Sequence, residues 1–317
     1  MTAVLAPLPM ILDEVEVVSV SRLSTSFVRI ELGGACLADL GPDGPVHDQR
    51  FKLIFPGASG RVPAVTAAED WYAAWLAQPE DERGHMRTYT VREVRGEGAD
   101  TRLVVDVVIH PDDPASGPGA RWASSVRVGD RLVTVAPRRG VAFGGIEFDP
   151  GNAGHLLLVG DETAVPAISS ILECLPDGAR GTAFLEVPHA DDVLDVDGPV
   201  GVEVVWLPRG GVPLGERLHA AVVAHLGVPS PAGAADRTAD DVDDLWETPT
   251  FSSSGEPLTG AGAAPRELGP HADLYAWIAG ESGVVTALRR HLVRDLGIAR
   301  HQVAFMGYWR RGVAMRG

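Results

Sequence analysis

Hydrophobic and polar residues alternate along six short stretches in the first half of the chain. The stretches cover residues 14–20, 25–32, 49–56, 87–94, 102–109 and 131–136. Alternation with a period of two and many β-branched residues predict strands with one buried face. Six such strands without a long helix predict an antiparallel barrel. Residues 137–154 are rich in Gly and Pro and are predicted to be a domain linker.

After residue 154, short continuous apolar runs replace the alternation. The runs cover residues 155–160, 182–187, 202–207, 274–280 and 303–309. Runs of this kind are typical of parallel strands that are buried on both faces. Helical spacing appears between them, at 164–174, 213–226 and 283–296. We therefore predict a barrel domain over 1–145 and a doubly wound parallel-sheet domain over 146–317.

One segment of the second domain does not follow this alternation of strands and helices. Residues 228–270 are rich in small, Pro and acidic residues and include DDVDDLWETP at 240–249. This composition predicts a surface insertion. Trp246 and its acidic neighbours either dock elsewhere or form a solvated loop without function.

Composition restricts the classes of partner. Of 317 residues, 45% are hydrophobic and 22% are charged, which is typical of a globular protein, and no apolar run has membrane-spanning length. The N-terminus does not resemble a signal peptide, so we expect a cytoplasmic protein without membrane insertion. Cys36 and Cys174 alone cannot form a disulfide scaffold or a cysteine metal cluster. A net charge of −16 argues against nucleic acid as a partner.

Four short segments carry candidate chemistry. In the first, RTYTVR at 87–92, Arg87 suits a phosphate, Tyr89 offers a ring for stacking and Thr90 offers a hydroxyl. The second, at 117–123, places a Gly-Pro-Gly turn and Arg121 at a helix start, where backbone N–H groups suit a pyrophosphate.

The other two segments, 160–166 and 279–283, follow apolar strands of the second domain. Thr163 and Ser282 are the predicted N-caps of the next helices, and Pro166 suits a first helical turn. Two polar strand ends that face one crevice predict a nucleotide site. The dinucleotide glycine fingerprint is absent, so a standard dehydrogenase is not supported, and the histidines show no metal-ligand spacing.

Taken together, these motifs resemble those of the siderophore-interacting proteins, which are flavin-dependent ferric-siderophore reductases related to ferredoxin–NADP reductases. The resemblance covers nearly the whole chain. It rests on RTYTVR (87–92), VVIH (107–110), GPGARWA (117–123), GDETAVPA (160–167), WIAGE (277–281) and GYWRRG (307–312).

The resemblance implies an FAD-binding barrel and an NAD(P)H-binding α/β domain that together reduce ferric siderophore. We also expect a monomer, although the sequence does not reveal the oligomeric state. The cofactor-binding residues that we expect are Arg87, Thr88, Tyr89, Thr90, Asp106, Val108, His110, Gly117, Gly119, Ala120, Arg121, Trp122, Asp161, Glu162, Thr163, Ala164, Arg209, Gly280, Glu281 and Ser282. The chain departs from the family at 119–120, where Gly119 and Ala120 replace the usual Ala-Ser. One hydroxyl that would contact the flavin pyrophosphate is therefore missing.

The residues leave the choice between NADH and NADPH open. Glu186, Asp191 and Asp192 favour NADH, whereas Arg209 is placed to receive the 2′-phosphate of NADPH.

An anionic ferric siderophore needs local positive charge, for which we predict Lys52, Arg50, Arg310 and Arg311, with Trp309 as an apolar wall. The rival functions are a flavin reductase with another acceptor, either a protein or a small molecule, and a non-catalytic module that binds flavin or siderophore.

Overall fold

The chain divides into two compact units. The computed structural model describes residues 8–42, 44–68, 70–110, 116–226 and 271–312. The first unit extends to Ile146, and the second begins at Glu147. The predicted insertion at 228–270 lies outside the described residues. Within the described part of the chain, no helix is long and apolar enough to cross a bilayer.

The first unit is built on an antiparallel sheet. Its strands are β1 (Met10–Arg22), β2 (Phe27–Gly33), β3 (Arg50–Phe55), β4 (His85–Thr90), β5 (Glu93–Arg95), β6 (Arg102–Val108) and β7 (Arg131–Pro137), in the spatial order β4-β3-β7-β1-β2-β6-β5. The antiparallel sheet is confirmed, but the sheet has seven strands instead of six. The predicted strand 87–94 is broken, because Val91 N–H donates to Gln49 O while Arg92 N–H donates to Val104 O. The chain therefore crosses between the two edges of the sheet and curls it toward a barrel.

The period-two pattern decides which side chains fill this unit. Phe51, Leu53 and Phe55 of β3 lie in the main hydrophobic core and are at most 1% exposed. Ile54 points to the opposite face, where a second cluster includes Trp71 and Trp75. Three short helices complete the unit: α1 (Trp71–Leu76), α2 (Glu80–Arg83) and α3 (Pro118–Ala123).

The second unit is a parallel sheet with helices between its strands, as predicted. The strands are β8 (His155–Gly160), β9 (Gly181–Val187), β10 (Val202–Pro208), β11 (Leu274–Glu281) and β12 (Val303–Trp309), in the order β10-β9-β8-β11-β12. The helices are α4 (Val165–Cys174), α5 (Glu216–His225) and α6 (Ser282–Arg290), and a π-helical turn over His291–Asp295 follows α6. The carboxyl ends of β8 and β11 are adjacent because these strands pair directly.

Candidate functional site

In the first unit, strand β4 separates the predicted motif into two faces. Arg87 and Tyr89 lie half-buried on one face, toward the core residues Phe51 and Phe55. Thr88 is exposed and Thr90 is buried on the other face, since side chains alternate along a strand. The structure thus brings Arg87 and Tyr89 together, whereas the two threonines point away from them.

Tyr89 is packed closely against helix α3. Its ring meets Phe55 edge-on with centroids 6.0 Å apart. A Cβ atom on Gly119 would lie 2.2 Å from the Tyr89 hydroxyl, so a glycine is needed for this position of the ring. Burial raises the pKa of Tyr89, and the charge of Arg87 lowers it by less. The hydroxyl therefore stays protonated at neutral pH.

Two guanidinium groups lie close to this face. Arg87 Nη1 donates to Met86 O at 2.6 Å, and Arg121 Nη1 donates to Ser116 O at 2.9 Å. Burial lowers the pKa of His85, and the charges of Arg87 and Arg121 lower it further. Among the described residues, neither arginine forms a salt bridge with a carboxylate. Arg87 is half-buried and Arg121 is exposed, and cations without an acid partner fit an anionic ligand.

The remaining residues of the α3 region are positioned by local contacts. Gly117 precedes the helix in an extended conformation, and Ala120 is half-buried within it. Trp122 packs on Phe55 with centroids 4.9 Å apart, so its ring contributes to the core. The carbonyl oxygen of His110 accepts a hydrogen bond from Ser116 Oγ at 3.1 Å.

Asp106 and Val108 lie on β6. The Asp106 carboxylate accepts two hydrogen bonds from Arg29, at 2.7 and 2.8 Å, and Arg92 Nε lies 3.6 Å away. Asp106 is therefore engaged in a buried ion pair, and its role as a cofactor ligand stays a prediction.

Lys52 lies beside the exposed threonine of β4. Its Nζ donates to Thr88 Oγ1 at 3.0 Å. Burial, assisted by the charge of Arg50, lowers the pKa of Lys52 to about 8. This ammonium is poorly solvated and gains from an anionic ligand.

In the second unit, Asp161 joins three strand ends. Its Oδ1 accepts from Thr163 N at 2.9 Å and Thr163 Oγ1 at 2.5 Å, while its Oδ2 accepts from Glu281 N at 2.7 Å and Trp309 Nε1 at 2.9 Å. Gly280 has φ +140°, and a Cβ there would lie 2.6 Å from Asp161 Oδ2. Burial, followed by the charge of Glu162, raises the pKa of Asp161 to about 7 despite these hydrogen bonds.

The two predicted helix caps are wrong. The N-cap of α4 is Ala164, which is fully buried, and Thr163 Oγ1 donates to Asp161 instead. The N-cap of α6 is Glu281, whose carboxylate accepts from Gly283 N and Val284 N. Pro166 does lie in the first turn of α4.

Ser282 and Glu281 hold the end of β12. Ser282 Oγ donates to Trp309 O at 2.8 Å, and Glu281 Oε1 accepts from Arg311 N at 3.2 Å. The side chains of Arg310 and Arg311 are exposed. The structure thus gathers Asp161, Glu281, Ser282 and Trp309 at the carboxyl edge of the sheet.

Sequence reasoning missed the partners of two site residues. Arg209 donates two hydrogen bonds to Glu162, at 2.6 and 2.9 Å, although 47 positions separate them. Trp309 reaches Asp161 across 148 positions. Neither pair has a local signal, because each depends on which strands are neighbours in the sheet.

Family models match most of the chain. A sequence model described as siderophore-interacting protein matches residues 153–312, and one described as siderophore-interacting FAD-binding domain matches residues 16–141. The chain is 28% identical over 304 residues to the ferric vibriobactin reductase ViuB of Vibrio cholerae, covering 96% of this chain and 90% of that protein.

Solved structures show the same similarity. A siderophore utilization protein from T. fusca is 29% identical, with a TM-score of 0.67, and the match covers 98% of this chain and 96% of that one. A ferredoxin NADP+ reductase from Neisseria gonorrhoeae, with bound FAD and NADP, shares the fold at 14% identity. Its TM-score is 0.53, over 94% of this chain and 99% of that one.

Proposed function

The chain belongs to the siderophore-interacting protein family, and on that premise we propose that it is an FAD-dependent reductase that uses NAD(P)H to reduce ferric siderophore. The observation that carries the proposal is the face formed by Arg87 and Tyr89. There, Arg87 lies on the same strand face as the Tyr89 ring, and Arg121 belongs to helix α3, whose Gly119 meets the Tyr89 hydroxyl. Neither arginine has a carboxylate partner among the described residues. Such a face suits a ligand that is both flat and anionic.

These residues fit FAD. FAD, when bound, accepts hydride from a nicotinamide nucleotide and delivers single electrons to Fe(III). Arg87 and Arg121 supply charged donors for the pyrophosphate, and Tyr89 offers a ring surface and a protonated hydroxyl. Ala120 offers only its backbone at the position where the family usually has serine.

In the second unit, the carboxyl edge of the sheet is the proposed nucleotide site. Asp161 fixes the Trp309 indole through Nε1 and also holds the amide of Glu281. These bonds define the positions of the polar strand ends before a ligand arrives, which reduces the ordering cost of binding.

The proposed substrate is an iron complex with hard oxygen ligands. Fe(II) has a lower charge density than Fe(III) and binds such ligands more weakly, so reduction releases the metal. The protein carries a net charge of −16, which repels an anionic complex at long range. Lys52, Arg50, Arg310 and Arg311 are the cations proposed to offset that field locally.

Anaerobic spectroscopy tests the function. Protein reconstituted with FAD should bleach with NADH or NADPH and regain its colour on addition of a ferric siderophore, and an Fe(II) chelator should report product. Ferric vibriobactin, named for the Vibrio cholerae relative, is one substrate to include. Re-oxidation by a carrier protein or a non-iron acceptor alone would identify a general flavin reductase, and failure to bleach would identify a binding module.

Two finer points belong to the same proposal. We place the reaction in the cytoplasm, where nicotinamide nucleotides are found. The monomeric state stays a prediction, which sedimentation of the FAD-loaded protein would test.

A further inference from the structure

Three neighbouring strands of the second unit end in one buried ionic cluster. Glu162 follows β8, Glu186 lies near the end of β9 and Arg209 follows β10. Arg209 donates to both carboxylate oxygens of Glu162, and its Nη1 lies 3.5 Å from Glu186 Oε2. The side chains of Arg209, Glu162 and Glu186 are 14%, 2% and 0% exposed.

Glu186 is fixed in this cluster by the next helix. Its Oε2 accepts from Gly215 N at 2.8 Å and its Oε1 accepts from Leu218 N at 3.2 Å, at the start of α5. These two hydrogen bonds keep the negatively charged Glu186 carboxylate close to Arg209. Asp161 adds a further carboxylate whose field acts on Arg209.

The guanidinium is thus engaged before any ligand binds. Burial lowers the pKa of Arg209, but the hydrogen bond and the charge of Glu162 raise it overall, so the group stays cationic. A guanidinium recognises phosphate with the same paired N–H groups that it uses for a carboxylate. Here both nitrogens of the fork, Nη1 and Nη2, donate to Glu162.

NADPH differs from NADH only by a 2′-phosphate on the adenosine ribose, and doubly wound sheets bind this ribose near the carboxyl ends of their strands. We propose, on the premise of the proposed function, that Glu162 withholds Arg209 from that phosphate, so that this chain selects NADH. Glu162 is then a specificity-determining residue. A phosphate that takes the Nη1–Nη2 edge of Arg209 leaves the buried Glu162 carboxylate without its cation, which is strongly unfavourable. A phosphate at any other edge of the guanidinium meets the repulsion of the nearby Glu162 and Glu186 carboxylates.

Nucleotide preference of the FAD-loaded protein tests this directly. We expect wild type to be reduced by NADH at least tenfold more efficiently than by NADPH, in second-order rate constants from anaerobic stopped flow. Calorimetry should show tighter binding of NAD+ than of NADP+. Glu162→Gln should lower the NADH/NADPH ratio of rate constants and the NAD+/NADP+ ratio of affinities at least tenfold each. The substitution weakens the hydrogen bonds to Arg209 and removes one negative charge. Glu203→Gln, the same change at an exposed position of β10, should leave the ratios as in wild type.

Arg209→Gln separates this proposal from the opposite arrangement, in which Arg209 receives the phosphate. Our proposal expects no selective loss of NADP+ binding in this variant. A loss of NADP+ binding of tenfold or more with NAD+ binding retained would overturn it, as would a wild-type preference for NADPH.

An unchanged ratio in folded Glu162→Gln would also overturn the proposal, and if that variant does not fold, wild type and Arg209→Gln decide. If neither nucleotide reduces the flavin, the proposed function fails, whereas the calorimetric comparison still decides the preference.

Discussion

Replacing Asp161 by asparagine removes the charge at the junction of β8, β11 and β12 while keeping the size of the side chain. Four donors point at this carboxylate, from Thr163 (two), Glu281 and Trp309. An asparagine oxygen can keep two of them, such as Glu281 N and Trp309 Nε1. Its amide N–H then faces Thr163, whose hydroxyl can rotate to accept, so only Thr163 N–H is left without its acceptor.

The effect of Asp161→Asn on the free energy of unfolding has one part that is constant and one part that depends on pH. A buried donor without an acceptor costs about 1–3 kcal/mol at any pH. The pKa of Asp161 is raised from 3.8 to about 7 in the folded chain. The folded state therefore binds the proton more tightly than the unfolded state, and stability falls as pH rises between these two values. From pH 5 to pH 8 this contributes a loss of about 3 kcal/mol in wild type, which the asparagine variant lacks.

Hydrogen exchange measures this locally, which matters because two units need not unfold together. Protection of the amides of 274–281 is compared at pH 5 and pH 8 after correction for intrinsic exchange. Between pH 5 and pH 8, the free energy of opening at these amides should fall by about 3 kcal/mol more in wild type than in Asp161→Asn. The exposed Asp197→Asn should behave as wild type. The same pH slope in wild type and Asp161→Asn would refute the raised pKa.

Three further predictions concern the first unit. Arg87→Ala should weaken FAD binding about 10- to 150-fold in equilibrium dialysis, because a charged hydrogen bond contributes about 1.5–3 kcal/mol. The control Arg127→Ala, at an exposed position, should bind FAD as wild type does. Full flavin retention in Arg87→Ala would remove Arg87 from the site. Ala120→Ser should tighten FAD binding about 2- to 12-fold by restoring one neutral hydrogen bond, and unchanged affinity would show that the hydroxyl finds no partner. Since the pKa of Lys52 is lowered to about 8, KM for an anionic ferric siderophore should rise as pH passes 8, and Lys52→Ala should abolish that rise; a rise that persists in the variant must come from another group.

The strands β8, β9 and β11 of the second unit could be read from sequence because both of their faces are buried. Their runs are almost entirely apolar, and that requirement is local. The break at Val91 and Arg92 in the first unit was missed, although the alternation changes phase there. Tyr89 and Val91 are apolar, and after the two polar residues Arg92 and Glu93 the next apolar residue is Val94. The change of partner strand itself depends on distant residues and has no local signal.

The polar residues after the apolar strands were expected at the carboxyl edge of the sheet, and the structure has them there, whereas their mutual hydrogen bonds were not predicted. That this edge binds a nucleotide stays a prediction. Thr163 and Ser282 were expected to cap helices, as their propensities favour. Thr163 instead donates to Asp161, two residues earlier in the same loop. Ser282 donates to the main chain of Trp309, which the fold brings close.

The glycine at 119 has a consequence for exchanging segments between this chain and its relatives. The usual family residue there is alanine, and its methyl group would meet the Tyr89 hydroxyl at 2.2 Å. Transplanting the relatives' 117–120 turn as a block would thus move the aromatic ring at the same time as it restores the serine hydroxyl. The replacements at 119 and 120 therefore differ in their effect on Tyr89. The serine at 120 can be introduced alone, whereas the alanine at 119 requires Tyr89 or helix α3 to shift.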